Sequence, residues 1–240
     1  AEIEETVSLL KSEGLTWGAG GLPVEFRQDD AKFAADMEKL PAICAAYQTC
    51  GVKRIGTWLM PTHDGRTYRV NFDLHTERLR AAAKVLSDHG LSLGLEYVGP
   101  KTLWTSKRYS FVHTLAETKE LIAAIGTGNV GVVLDSWHWY TSKETLADLK
   151  TLTNEDIVAV DLNDAPAGIP IDEQIDNTRA LPAATGVIDL KAFLTTLVEL
   201  GYDGPIRAEP FDQQLNALDN SPAVEKTGKA MQKAFDLIGG

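Results

Sequence analysis

The sequence predicts an α/β fold in which parallel strands alternate with helices, and it favours closure of the sheet into a (β/α)8 barrel of the TIM type. Three observations support this prediction. Short apolar runs alternate with amphipathic helical stretches along all 240 residues. Several of the helical stretches end at glycine, the usual left-handed C-cap. The first strand is not followed by the Gly-rich turn of an open nucleotide-binding sheet.

Six apolar runs have the length and composition of buried strands. They are TWGAGGL (16–22), RIGTWLM (54–60), LSLGLEY (91–97), VGVVLDS (130–136), IVAVDLN (157–163) and PIRAEPF (205–211). The gap before the last run is about twice a typical βα unit, so TRALPAATG (178–186) is interpreted as a weak strand between the fifth and sixth runs.

Helical stretches separate these runs, at 74–90, 114–126, 141–152 and 189–201. Strands separated by helices are expected to pair in parallel through right-handed crossovers. No linker or low-complexity tract divides the chain, so a single domain spanning 1–240 is predicted.

An open, doubly wound nucleotide-binding sheet is the alternative. Its strongest candidate motif is GAGG at 18–21, which lacks the Gly-x-Gly-x-x-Gly spacing. The motif is followed by LPVEF, which does not open a helix. The barrel is therefore favoured.

Composition narrows the function classes. The net charge is −11 and the isoelectric point about 4.9, so the basic surface that a nucleic-acid partner needs is not expected. No apolar run is long enough for a membrane span, and no signal peptide is visible at the start. Cys44 and Cys50, six residues apart on a predicted helix, point to different faces and are interpreted as free thiols. A cytoplasmic location is predicted.

Acidic residues close four of the apolar runs. Glu96 ends LGLE, Asp135 ends GVVLD, Asp161 ends IVAVD and Glu209 ends PIRAE. In a parallel barrel such positions lie on one rim, at the carboxyl ends of the strands, where active sites are found. One such acid is more often a helix N-cap or an ion-pair partner. Four in succession favour a metal site.

Four carboxylates in a small volume repel one another, and a bound cation relieves that repulsion. An all-oxygen set suits Mg²⁺ or Mn²⁺. His138 follows Asp135 by three residues and is a candidate ligand for metal or substrate. Trp137, beside it, is either a wall of a sugar pocket or plain core.

The motifs resemble the sugar phosphate isomerase/epimerase superfamily, the xylose isomerase-like TIM barrels. The matching segments cover about residues 91 to 211, and they are LEYVGP, LDSWH, VDLNDAP, RALP-x-x-x-G and GYDGPIRAEPF. Weaker similarity, in GLPVEF and RIGTWL, extends towards the start.

The resemblance implies a divalent metal, most often Mn²⁺ or Mg²⁺ with Co²⁺ or Zn²⁺ as alternatives, held by the four strand-end acids. It implies that Glu96 and Glu209 are also the catalytic acid and base, and that His138 and Arg179 contact substrate oxygens. Asn163 and Trp137 complete the predicted substrate-binding set.

Three departures from the family pattern stand out. Many members carry histidine where this chain has Asp161, and LPAATG replaces the expected LPGEG-like turn. Members have eight strands, whereas residues 1–14 are typical of the helix that follows a first strand. The first strand is therefore expected to be missing or altered.

The predicted function is proton transfer between carbons of a ketose or keto-polyol through an enediolate, the partner being that small molecule; a homo-oligomer is left open. An inosose-type dehydratase and a non-catalytic sugar-binding barrel are the alternatives. Basic residues that could anchor a substrate phosphate are Arg66, Arg69, Lys101, Lys107 and Arg108, although solvated loop charges are the favoured interpretation of them.

Overall fold

The computed structural model of the chain describes residues 2–239 and has a curled sheet of six parallel strands at its centre. The strands pair in the order β1 (Gly20–Gly21), β2 (Arg54–Trp58), β4 (Ser92–Glu96), β6 (Val130–Asp135), β7 (Ile157–Leu162) and β8 (Ile206–Ala208). A short antiparallel ribbon, β3 (Thr62–His63) with β5 (Tyr109–Ser110), lies apart from this sheet. The α/β class and the parallel pairing are confirmed, and six of the strands among the described residues belong to the parallel sheet.

Helices precede, separate and follow the strands. They are α1 (Glu2–Ser12), α2 (Asp30–Cys50), α3 (Tyr68–Asp88), α4 (Lys101–Trp104), α5 (Leu115–Ile125), α6 (Ser136–Thr141), α7 (Leu146–Leu149), α8 (Leu190–Glu199), α9 (Gln213–Asn216) and α10 (Asn220–Asp236). Local sequence accounts for several ends. The Thr114 side chain accepts the N–H of Glu117 at the start of α5, and Gly126 ends that helix in the left-handed region with φ 66°.

The predicted seventh strand at 178–186 is wrong. β8 pairs directly with β7, and the intervening segment makes only a single antiparallel bridge between Asp164 and Ala180. The buried Asp164 carboxylate accepts the N–H groups of Thr185, Gly186 and Ile188 instead. A side chain therefore satisfies the backbone donors that a sheet would otherwise satisfy.

The predicted helix at 141–152 is also wrong in its bounds. The first helix of this region is α6, which begins directly after β6 because the Asp135 side chain accepts the N–H of Trp137. A break follows, and α7 starts at Leu146. Its N-cap is Thr145, whose backbone N–H and side-chain hydroxyl both donate to Asp148 Oδ2 in a capping box.

Two apolar clusters fill the molecule. One packs α2, α3 and α5 against β2 and β4, and the other packs α6, α8 and α10 against β6 and β7. Both cysteines lie on α2 and are free. Over residues 2–239, no helix combines the length and the hydropathy needed to cross a bilayer.

His75 on α3 predicts a marked loss of stability in acid. Its ring is 2% exposed between Phe26 and Phe111, and its Nε2 atom has no hydrogen-bond partner. Burial lowers the pKa of His75 to about 3, and the neighbouring charges of Arg27, Arg66 and Arg78 add to the effect. The His75 side chain therefore becomes protonated below about pH 6.5 in the unfolded chain, but only below about pH 3 in the folded chain.

As the pH falls from about 6.5 towards 3, the free energy of unfolding is expected to decrease by about 1.4 kcal/mol per pH unit because of His75 alone. Urea unfolding between pH 7 and pH 5 in phosphate-free buffer measures it. His75→Gln should remove this part of the slope, and His89→Gln, at the half-buried end of the same helix, should retain it. Identical slopes in all three proteins would show that His75 is not the cause.

Candidate active site

The structure brings together the four acidic residues that close the apolar runs. Glu96 and Asp135 are the last residues of β4 and β6, Asp161 lies in β7, and Glu209 follows β8. Asp135 and Asp161 are directly opposite each other in the sheet. One carboxylate oxygen from each of the four lies within 4.8 Å of the others. Parallel strands place their carboxyl ends at one edge, which is why residues far apart in sequence meet here.

Burial and mutual repulsion govern the protonation of this carboxylate cluster. Asp135 and Asp161 are fully buried, Glu96 is nearly so, and Glu209 is half-buried. Burial, followed by the charges of Asp135 and Glu209, raises the pKa of Glu96 well above its ordinary value. Burial together with Asp135 and Asp161 raises the pKa of Glu209 to about 7. Ionisation of all four carboxylates together is therefore unfavourable without a compensating positive charge.

Arg179 supplies part of the compensating charge. Its Nη1 donates to Asp135 Oδ2 at 2.8 Å and to Glu209 Oε2 at 3.0 Å. Its Nη2 donates to Asp176 Oδ1 at 2.7 Å and lies 3.1 Å from His138 Nε2. Burial lowers the pKa of Arg179, but the Asp135 and Asp176 carboxylates outweigh burial and raise it, so the guanidinium stays charged. Asp176, which the sequence did not single out, is thus a partner of Arg179.

His138 is neutral in this environment. Its side chain is 1% exposed, and burial followed by the charge of Arg179 lowers its pKa well below the ordinary value. The 3.9 Å separation between His138 Nε2 and Glu96 Oε1 is therefore no ion pair, and it is too long for a hydrogen bond. Glu96 Oε1 is buried and has no hydrogen-bond partner.

Two predicted substrate contacts, Asn163 and Trp137, lie behind the site. Asn163 is fully buried and donates from Nδ2 to both oxygens of Asp135 at 3.0 Å. Trp137 is also fully buried in the core, with the Arg179 guanidinium 4.9 Å from the centre of its ring. Neither side chain lines the site cavity. Asn163 holds Asp135, and Trp137 packs against Arg179. Neither side chain is placed to contact a substrate directly in this structure.

Arg207 is a second site residue that the sequence interpretation missed. Its guanidinium forms a bidentate ion pair with the Asp161 carboxylate, in which Nε donates to Oδ1 and Nη2 donates to Oδ2 at 2.9 Å. A signal for it exists, because side chains two apart on a strand share a face. If Glu209 points inwards, Arg207 in PIRAE does too.

The site cavity has a volume of about 400 Å³. Its charged and polar lining residues are Glu96, His138, Asp176, Asn177, Arg179 and Glu209. Its apolar and aromatic lining residues are Trp58, Met60, Val98, Leu103 and Phe211. A cavity lined by both kinds of residue suits a small polyhydroxylated molecule.

The donor set of the carboxylate cluster fits a divalent cation. It offers hard oxygen ligands from four strands, and the unpartnered Glu96 Oε1 is a buried acceptor that a cation would satisfy. An alternative set replaces Asp161 and Glu209 with His138. A cation would compete with Arg207 for Asp161, because both oxygens of that carboxylate already pair with the guanidinium.

Comparison with known proteins places the fold. The sequence model of a family described as the xylose isomerase-like TIM barrel matches residues 1–235. A xylose isomerase domain protein from Alicyclobacillus acidocaldarius is 31% identical, with a TM-score of 0.87, and the match covers 99% of this chain and 84% of that one. The crystal structure of the IolI protein with a bound zinc atom superposes with a TM-score of 0.81 at 21% identity, covering 98% of this chain and 81% of that one.

The chain is also similar in sequence to a curated enzyme, an inosose isomerase. The inosose isomerase of Halalkalibacterium halodurans is 26% identical over 163 residues, which are 66% of this chain and 55% of that protein. The chain thus spans little more than half the length of that curated relative.

Proposed function

The chain belongs to the xylose isomerase-like TIM barrel family, and on that premise we propose that it is a divalent-metal-dependent isomerase or epimerase of a ketose or keto-polyol. One observation carries the proposal: carboxylates from four strands converge with a charged arginine on a single cavity. Such a constellation matches the removal and return of a proton beside a carbonyl group.

Glu96 and Glu209 are the proposed acid and base. Both line the cavity, and they come from strands that are not neighbours in the sheet. One carboxylate takes the proton from the carbon beside the carbonyl, and the C–H electron pair moves towards the carbonyl oxygen to give an enediolate. The other carboxylate returns a proton. Return to the same carbon from the opposite face inverts it. Return to the former carbonyl carbon, with the proton of the neighbouring hydroxyl passing to the former carbonyl oxygen, moves the carbonyl.

Arg179 and His138 orient the substrate oxygens. The Arg179 guanidinium lies 4.6 Å from the centre of the Phe211 ring, and its ion pairs fix it at the cavity wall. Its charge is placed to stabilise an oxygen that becomes negative. A divalent cation, held by Glu96, Asp135 and Glu209 with Asp161 or His138, would when bound supply further Lewis-acid stabilisation of that oxygen.

A screen of ketoses and inososes in D₂O with Mn²⁺ tests the proposal. We expect NMR to show deuterium entering a carbon beside the carbonyl, with loss of exchange on chelation and recovery when Mn²⁺ is restored. Appearance of an epimer or positional isomer supports the proposal, whereas an unsaturated product would assign the protein as a dehydratase instead. Exchange that survives chelation would contradict metal dependence.

A non-catalytic sugar-binding barrel is the second candidate, favoured by the pairing of Arg207 with Asp161 and of Arg179 with Asp135. These contacts already neutralise part of the cluster. On this alternative the purified protein would lack stoichiometric metal, and its melting temperature would not respond to Mn²⁺ or Mg²⁺ while still responding to a sugar.

A further inference from the structure

A second cavity, of about 190 Å³, lies beside the active site and is unusually basic. Met60 lines both cavities, so the two adjoin. The remaining walls include the side chains of Arg27, His63, Arg66, Asn71, His75 and Lys107. In a chain whose net charge is −11, three cationic side chains converge here, and among the described lining residues there is no carboxylate.

Much of this positive charge is available to a ligand. Arg66 donates from Nη1 to the Arg27 carbonyl oxygen, which leaves its other nitrogens uncommitted within residues 2–239. Lys107 is exposed at the mouth and makes no ion pair among the described residues. His63 accepts the N–H groups of Gly65 and Arg66 at Nδ1, so the proton of its neutral ring lies on Nε2 and can be donated.

Three residues of the cavity lining carry buried polar atoms that have no hydrogen-bond partner. His75 and Asn71 are 2% and 3% exposed, yet His75 Nε2 and Asn71 Oδ1 have no hydrogen-bond partner, and neither does Arg27 Nε. Leaving a buried polar group without a hydrogen-bond partner destabilises the fold. Three such atoms around one cavity indicate a place built for a polar ligand that donates and accepts hydrogen bonds.

We propose that this basic cavity binds a phosphate group. The free charges of Arg66 and Lys107 match a dianion, and phosphate oxygens accept from arginine, lysine and histidine donors. The dianion itself has no hydrogen to donate, so an accompanying water would donate to His75 Nε2 or Asn71 Oδ1. Because the cavity adjoins the active site across Met60, the phosphate is that of a phosphorylated sugar substrate, a part of the inference that rests on the proposed function.

Calorimetric titration with inorganic phosphate, at constant ionic strength, tests the cavity without reference to catalysis. We expect saturable binding that weakens about tenfold or more in Arg66→Met and in Lys107→Met. Arg69→Met is the matched control, since Arg69 is exposed and pairs with Asp73 on α3 outside the cavity. Circular dichroism checks that each variant folds. No saturable binding, or equal weakening in the Arg69 variant, would overturn the site.

Kinetics then separate a substrate phosphate from free phosphate. In the proton-exchange assay, Lys107→Met should raise KM for a ketose phosphate about tenfold and leave KM for the unphosphorylated ketose unchanged. Equal effects on both substrates would overturn the substrate role while leaving phosphate binding intact. If neither sugar exchanges protons, the proposed function fails, and the titration with phosphate still decides the site.

Discussion

Glu209→Gln is expected to reduce turnover by about 10² to 10⁴, the usual contribution of a positioned acid or base, while the fold is kept. The amide has nearly the same shape as the carboxylate, and its oxygen can still accept from Arg179 Nη1, which donates to Glu209 Oε2 at 3.0 Å. It cannot take up a proton. The rate at which a saturating substrate is converted to product measures the loss, and circular dichroism with thermal unfolding checks the fold.

The partner variant sharpens the test. If Glu96 and Glu209 act on opposite faces of the substrate, a protein lacking one of them can still remove a proton with the other and return deuterium to the same face. Glu96→Gln and Glu209→Gln should then each exchange the proton of only one epimer, without converting it. The control Glu225→Gln removes a carboxylate from an exposed pair with Lys229 on α10. Wild-type turnover in Glu209→Gln would exclude Glu209 as the acid or base.

The sheet could be predicted because each strand carries its own signal. β6 and β7 are almost uninterrupted apolar runs, as strands covered on both faces must be, and each run reaches an acid at or near its end. Those two facts, with parallel pairing, were enough to expect that Asp135 and Asp161 meet. The prediction of a strand at 178–186 was wrong because the buried Asp164 carboxylate accepts hydrogen bonds from backbone N–H groups of that segment. The pattern of apolar residues does not indicate such a contact.

The ion pairs of the site could not be predicted in the same way. Arg179 reaches Asp135 across 44 residues of sequence, from a loop whose path no periodicity describes. Arg207 meets Asp161 because the two are paired in register between β7 and β8, and a single sequence does not define register between strands. Strand parity indicates that Arg207 shares a face with Glu209, but the choice of Asp161 as its partner needs the three-dimensional sheet.

Arg207→Met is expected to increase the affinity for Mn²⁺ by about tenfold or more, equivalent to about 1.4 kcal/mol or more of binding free energy. In the wild-type protein a cation at the carboxylate cluster must compete with the guanidinium for both oxygens of Asp161. It must also tolerate a like charge beside it. Methionine keeps the length and the apolar stem of the side chain and removes both obstacles. Calorimetry with MnCl₂, after removal of bound metal, measures the change.

Melting temperatures of Arg207→Met with and without Mn²⁺ distinguish competition between Arg207 and the cation from a general loss of structure. Without metal, Arg207→Met leaves the fully buried Asp161 carboxylate unpaired, so its melting temperature should fall below that of the wild-type protein. With saturating Mn²⁺ the difference should narrow or reverse, because a ligand that binds the folded protein more tightly stabilises it more, by an amount that rises with the logarithm of the affinity. Arg207→Lys, which keeps the charge, should gain little affinity, and adding Asp161→Asn to Arg207→Met should abolish the gain. If Arg207→Met binds Mn²⁺ no more tightly than the wild-type protein, Asp161 is not a ligand, and the cation would be left with Glu96, Asp135 and either Glu209 or His138.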